Sequence, residues 1–203
     1  TDVSSGHWHA CALNTSGSVE CWGDNSYGQT NAPNNENFEQ VCSGRYHACA
    51  LDVEGYIYCW GDNDSGQGSP SPGTYTELTC GNYHTCAIKS NGFAYCWGME
   101  SGDSLLPPPG VMRKISSGTQ HNCALDEDGM PHCWGDDWQG QSSPPEQPFL
   151  QIAPGGSHTC GIALDRSIGC WGDNQFGQSS PPSGSFVYLT AGDNHNCAVD
   201  TLG

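Results

Sequence analysis

Histidine recurs two residues ahead of a cysteine at His9, His47, His84, His121, His158 and His195. Imidazoles repeated at one place offer metal ligation or a pH response. The competing reading gives each His a hydrogen bond to backbone of its own or the next repeat. Spacing favours that reading, because a shared ion needs Zn–N bonds of only about 2.0–2.1 Å and each His belongs to a different unit. Aspartate follows a Cys-Trp-Gly tract at Asp24, Asp62, Asp136 and Asp173. Calcium would need several oxygens converging on one ion, whereas Asp in a Gly-containing turn ordinarily accepts local backbone N–H groups. No nucleophile–base–orienter set, phosphate loop or nucleotide fingerprint stands out. The sequence therefore assigns no catalytic residue, cofactor or metal, and it reads as a non-enzyme.

These residues sit in a repeat. The first cysteines, Cys11, Cys49, Cys86, Cys123, Cys160 and Cys197, are spaced by 38 residues once and then by 37 four times. The implied limits are 3–40, 41–77, 78–114, 115–151 and 152–188, with a partial copy over 189–203. Within a unit, His9, Cys11 and Leu13 alternate with Ala10 and Ala12, and Val19 and Cys21 alternate with Glu20 and Trp22. That is the period-2 pattern of a strand pair, joined by the turn formers of residues 14–18. If Leu13 faces Val19, then Cys11 faces Cys21, close enough for a disulfide. The same arithmetic pairs Cys49–Cys59, Cys86–Cys96, Cys123–Cys133 and Cys160–Cys170, with tetrahedral zinc as the weaker alternative. Each such bridge closes a short loop and stabilises the fold by roughly 2–3 kcal/mol. Cys42 and Cys80 suit a bridge between neighbouring units, against the alternative of two free thiols. Cys197 lacks a partner, which would fall near position 207, so the native polypeptide is expected to continue.

A small residue follows each first cysteine, and Trp22, Trp60, Trp97, Trp134 and Trp171 follow each second one. Both lie on the hairpin face opposite the disulfide. A sheet apolar on both faces must be covered on both, and blades stacked around an axis achieve this. The expectation is an all-β propeller, five full blades plus the start of a sixth. The pattern G-x-x-H-x-C-A-L…G-x-x-x-C-W-G-x-N-x-x-G-Q resembles the regulator-of-chromosome-condensation repeat family of β-propellers. The cysteine-bearing variant looks most like the extracellular repeats of plant crinkly-type receptor kinases and of secreted microbial propellers. Nuclear members act on chromatin and a small GTPase, a role that an acidic, cysteine-stapled chain does not inherit.

With 22 acidic residues against 5 basic ones the net charge is −17, which disfavours nucleic acid and anionic lipid as partners. Thirteen cysteines point to an oxidising, extracellular or cell-surface setting. Nothing in the segment inserts directly into a membrane. Sequons place candidate glycans on Asn14 and Asn63. The variable tips supply a candidate binding face: Trp8, Tyr46 and Tyr83, with Leu105 and Leu106 from the divergent connector of the third unit, where loop drift is the alternative. The expected function is a binding or assembly module (receptor ectodomain, adhesin or appendage subunit) for a protein partner or its own copies. The alternative is a free-standing secreted ligand binder, such as a lectin or an enzyme inhibitor, with a glycan as the ligand.

Overall fold

The computed structural model describes residues 2–34, 37–101 and 103–202, and among them every regular element is a strand. Two compact units result, Thr1–Glu100 and Ser101–Gly203. The first holds three antiparallel three-stranded sheets: β1 (Asp2–Ser5), β2 (His9–Leu13) and β3 (Val19–Gly23); β4 (Phe38–Ser43), β5 (His47–Asp52) and β6 (Ile57–Gly61); β7 (Tyr75–Cys80), β8 (His84–Lys89) and β9 (Ala94–Gly98). The second holds β10 (Met112–Ser117), β11 (His121–Asp126) and β12 (Pro131–Gly135), then β13 (Phe149–Pro154), β14 (His158–Ala163) and β15 (Ile168–Gly172). It ends in a two-stranded sheet of β16 (Phe186–Ala191) and β17 (Asn196–Asp200). No helix among the described residues is long and apolar enough to cross a membrane.

The second and third strands of each sheet keep the register set by their alternation. Leu13 faces Val19 and Cys11 faces Cys21, and Cys49–Cys59, Cys86–Cys96, Cys123–Cys133 and Cys160–Cys170 are opposed likewise. All five pairs are disulfides, with Cα atoms 4.0–4.1 Å apart. Cys42 on β4 is bridged to Cys80 on β7, joining the first strands of successive repeats.

The first strand of each sheet carries no period-2 signal, and the hairpin pattern alone misses it. A one-residue bulge explains why: Phe38 faces Asp52 but Gln40 faces Leu51, and the same slip occurs at Tyr75, Met112, Phe149 and Phe186. Buried residues therefore fall three apart, as in Phe38 and Val41 or Phe149 and Ile152.

Within each unit, packing runs face to face between consecutive repeats. Cys11, Leu13 and Val19 of the first repeat cluster with Val41, Ala48 and Ala50 of the second, and Trp60 closes over them. Cys49 and Leu51 meet Tyr75, Leu78, Ala87 and Trp97 in the same way. In the second unit Cys123 and Leu125 meet Phe149, Ile152 and Trp171. One disulfide face thus covers one small-residue-and-Trp face, and each bridge doubles as core. Trp22 departs from the expectation that every such Trp is buried: it is 55% exposed, since no earlier repeat among the described residues covers it.

Candidate binding face at the loop ends

The turn after each Cys-Trp-Gly tract is built by its own side chains. Asp24 Oδ2 accepts from Gln29 Nε2 at 2.7 Å, and Gln29 Oε1 accepts the Tyr27 N–H at 2.9 Å. Asp62–Gln67, Asp136–Gln141 and Asp173–Gln178 repeat the link at 2.8, 2.9 and 2.8 Å. These glutamines are essentially inaccessible to solvent, so the recurring carboxylates are committed to the turn. The Ser26 hydroxyl, foremost, and the Gln29 amide hold the Asp24 carboxyl below its usual pKa.

The same glutamine then offers its carbonyl to the next repeat. Trp60 Nε1 donates to Gln29 O at 2.9 Å, Trp97 to Gln67 O at 2.8 Å and Trp171 to Gln141 O at 2.9 Å. The third repeat has lost the Asp and Gln, yet buried Ser104 supplies the equivalent carbonyl to Trp134 at 3.0 Å.

The histidines join this network. His47 Nε2 lies 2.9 Å from Thr85 Oγ1, and Thr85 donates onward to Gln67 O at 2.9 Å. His121–Thr159–Gln141 and His158–Asn196–Gln178 are arranged alike. Because Thr85 spends its proton on a carbonyl, His47 must be the Nε2–H tautomer. The partner is a side chain of the next repeat, not the backbone group expected from sequence. Burial, chiefly, and the charges of His84 and His9 push the His47 pKa down to about 3, so its ring stays neutral. His9 lacks the relay: Ala48 stands where the later repeats carry Thr or Asn, and neither ring nitrogen of His9 has a partner. Glycine is required beside these rings; a β-carbon on Gly44 would lie 2.6 Å from Gly81 O and 2.5 Å from His47 Nδ1.

His47, Cys49 and Cys80 bring one ligand atom each within 4.8 Å of one another. Both sulfurs are tied up in disulfides and the imidazole N–H is used by Thr85, so the cluster does not suit a metal.

Above this framework the variable tips are anchored through their backbone carbonyls. Trp8 O and Tyr46 O accept the Asp24 and Asp62 N–H groups at 2.9 Å, and Tyr83 O accepts Met99 N–H at 2.8 Å. The Trp8 side chain is exposed, whereas those of Tyr46 and Tyr83 are half-buried. In the first unit Tyr27 packs on Tyr46 at 4.8 Å between centroids, and Tyr46 lies 6.5 Å from Tyr83. The Arg45 guanidinium sits over both Tyr46 and Tyr83, at 5.3 and 5.4 Å. The neighbouring Tyr46, the largest influence, and Tyr83 push the Arg45 pKa up. Trp8 is 60% exposed and stacks on His7 at 4.8 Å.

In the second unit Leu106 is exposed and Leu105 half-buried, while Trp138 stands 92% exposed and Phe176 73%. Tyr27, Trp138 and Phe176 were not singled out from the sequence; their signal was a large aromatic at the free positions of an otherwise constant turn. Asn14 and Asn63 are both exposed. Asn14 Oδ1 caps its turn by accepting from Ser16 and Ser18 N–H, whereas the Asn63 amide nitrogen donates to Ser69 Oγ at 3.0 Å.

Comparison with known proteins places this architecture. The Regulator of chromosome condensation (RCC1) repeat matches residues 1–29, 38–67, 75–102, 112–141 and 149–178. The entire ectodomain of the Physcomitrella patens receptor kinase CR4 superposes with a TM-score of 0.87 at 26% identity, over 99% of this chain and 60% of that one. The CRINKLY WD40 ectodomain of the Arabidopsis thaliana receptor kinase ACR4 gives 0.85 at 27% identity, over 99% and 77% of the two chains. Prp20p from Saccharomyces cerevisiae, described with its binding properties to Gsp1p and histones, gives 0.85 at 18% identity over 98% and 69%, a likeness of fold alone. The chain spans about 60% of the length of the Physcomitrella ectodomain. No curated protein matches it. Five matched repeats, each folded as a disulfide-stapled antiparallel sheet, make the chain a member of the RCC1 repeat family of β-propellers.

Proposed function

We propose that the chain is a non-enzymatic extracellular binding module that presents the loop ends of its blades to a protein partner. The observation that carries this reading is the Tyr27–Arg45–Tyr46–Tyr83 cluster, a half-buried guanidinium lying over two half-buried tyrosine rings beside exposed Tyr27. Tyr and Arg dominate protein-interface energetics because they bring large contact area at low entropic cost. The recurring Asp residues and His47, His121 and His158, in contrast, are bound into the framework. Six disulfides favour an oxidising compartment, and the resemblance to two receptor-kinase ectodomains supports a cell-surface role.

A photo-crosslinker installed at position 46, with one at Glu54 on a hairpin turn as control, tests the reading on the native surface. Position 46 should label a discrete protein, and Tyr83→Ala should weaken that labelling at least tenfold. Equal labelling from both positions would overturn it. In a eukaryotic host Asn14 should carry a glycan, read as an intact-mass decrease on amidase treatment. Asn63, whose amide is engaged with Ser69, should be occupied to a lower extent.

A further inference from the structure

In a chain of 22 acidic and 5 basic residues, every cation has a surplus of carboxylates to pair with. Arg113 takes one, with Nη2 2.8 Å from Glu127 Oε1, and Lys89 Nζ donates to Pro72 O at 3.1 Å. Arg45 does neither. Among the described residues no carboxylate lies within ion-pair range of it, and its Nε–H is buried without an acceptor. The acids of the neighbouring turns are already engaged. Asp24 accepts from Ser26 Oγ at 2.6 Å and Gln29 Nε2 at 2.7 Å, and Asp62 from Gln67 Nε2 at 2.8 Å and the Asp64 N–H at 3.1 Å. The Arg45 backbone is fixed by its N–H, which donates to Asn82 O of the third repeat at 2.9 Å. Its guanidinium lies against the Tyr46 and Tyr83 rings, 5.3 and 5.4 Å from their centroids. It is therefore a held, half-buried cation without a counter-charge.

We propose that Arg45, flanked by the Tyr46 and Tyr83 rings, is the docking point for a single carboxylate of a partner protein that is neutral or basic overall. Ring faces attract a cation through their quadrupoles but do not replace a full negative charge. Partial burial removes water and high dielectric from one side of the guanidinium, which strengthens what an incoming anion gains there. With Nε enclosed, the Nη1–Nη2 edge is left, and its two parallel N–H groups match the two oxygens of one carboxylate. The charge of the whole chain sets the second condition. At −17 it repels an acid-rich partner at long range, so the anion has to be an isolated one on a surface of the other sign. That a protein carries the carboxylate rests on the loop-end reading, whereas the anion site itself does not.

The 203-residue chain has three arginines, Arg45, Arg113 and Arg166, so labelling arginine alone with ¹⁵N gives three Nε–H signals, of which Arg45→Lys removes one. The probes are the α-amide of N-acetylglutamate, which mimics a side-chain carboxylate, and N-acetylglycine, which mimics a chain terminus. Ionic strength is held constant with sodium chloride. Either probe should shift the Arg45 signal saturably, at about tenfold lower concentration than it moves exposed Arg113 or Arg166. The probe with the lower half-saturation identifies the source of the carboxylate. The neutral glutamine analogue should leave the signal in place. Equal shifts of all three arginines, no shift of Arg45, or an equal response to the glutamine analogue would overturn the proposal. In the crosslinking assay at position 46, Arg45→Gln should lower labelling of the partner about tenfold, with Arg45→Lys between it and wild type. Undiminished labelling in Arg45→Gln would overturn the carboxylate contact and leave the loop-end face standing. A saturable Arg45 shift with no labelled protein would keep the anion site and discard the protein partner.

Discussion

Replacing Thr85 by Val isolates the relay that ties one repeat to the next. The change is nearly isosteric at a site with no solvent exposure, so it opens little cavity. Two hydrogen bonds of 2.9 Å are lost, one from His47 and one to Gln67 O. The carbonyl keeps its Trp97 donor, so that loss costs about 1 kcal/mol. The His47 N–H is different: it is left buried without an acceptor, at about 1–3 kcal/mol. The sum, about 2–4 kcal/mol, is a large fraction of a domain's stability. Urea unfolding of wild type and Thr85→Val at pH 7.5, followed by both fluorescence and far-UV circular dichroism, reads it directly. A loss below about 0.5 kcal/mol would show that the contact between His47 and Thr85 is incidental proximity and that the junction is held by apolar packing alone.

Other outcomes follow from the same geometry. Trp134→Ala should cost about 3–5 kcal/mol because Trp134 is only 7% exposed, whereas Trp22→Ala, at 55% exposed, should cost below about 1 kcal/mol; equal costs would contradict the junction scheme. Arg166 holds a left-handed backbone (φ 69°) at the hairpin position where four other repeats carry Gly at 79–90°, so Arg166→Gly should raise stability by about 1 kcal/mol in the same assay. Acid should weaken the fold through His47. Its folded pKa of about 3 lies below the ordinary value of 6.5, so its contribution is complete above pH 6.5 and is lost as pH falls toward 3. The slope is about 1.4 kcal/mol per pH unit in that window. Comparing wild type with His47→Gln at pH 7 and pH 4.5 separates this from general carboxylate titration, and parallel losses in both would refute it.

Much of the fold was legible because the repeat makes five independent statements of one pattern. Strict alternation on the second and third strands fixes register, and register alone opposes the ten cysteines. The first strand was hidden by its bulge, which turns a period of two into a spacing of three that fits neither strand nor helix. His partners were misjudged for a related reason. A hydrogen bond to Thr85 lies 38 residues away and depends on how faces stack, which local pattern does not encode. Tyr46 and Tyr83 were visible as variable tips. Their convergence with Arg45 and Tyr27 depends instead on the post-Trp turn of one repeat leaning on the tip of the next.

What each junction requires of the turn is a carbonyl at one point in space, and a carbonyl is available from any residue. Gln29, Gln67 and Gln141 reach that point through an Asp-anchored turn, while Ser104 reaches it without Asp or Gln, its hydroxyl accepting the Ser101 N–H at 3.0 Å. The framework therefore tolerates replacement of the whole connector, which lets Leu105 and Leu106 enter the third repeat while Trp134 keeps its bond. At the tips, Trp8, Tyr46 and Tyr83 offer the scaffold a backbone carbonyl, which any residue could supply, while the Tyr46 and Tyr83 rings pack on each other and under Arg45. A surface whose scaffold bonds come from main-chain carbonyls can change its side chains without losing those bonds. The Tyr–Arg cluster, built entirely from such positions and their turn neighbour Tyr27, is consequently where recognition is expected to reside.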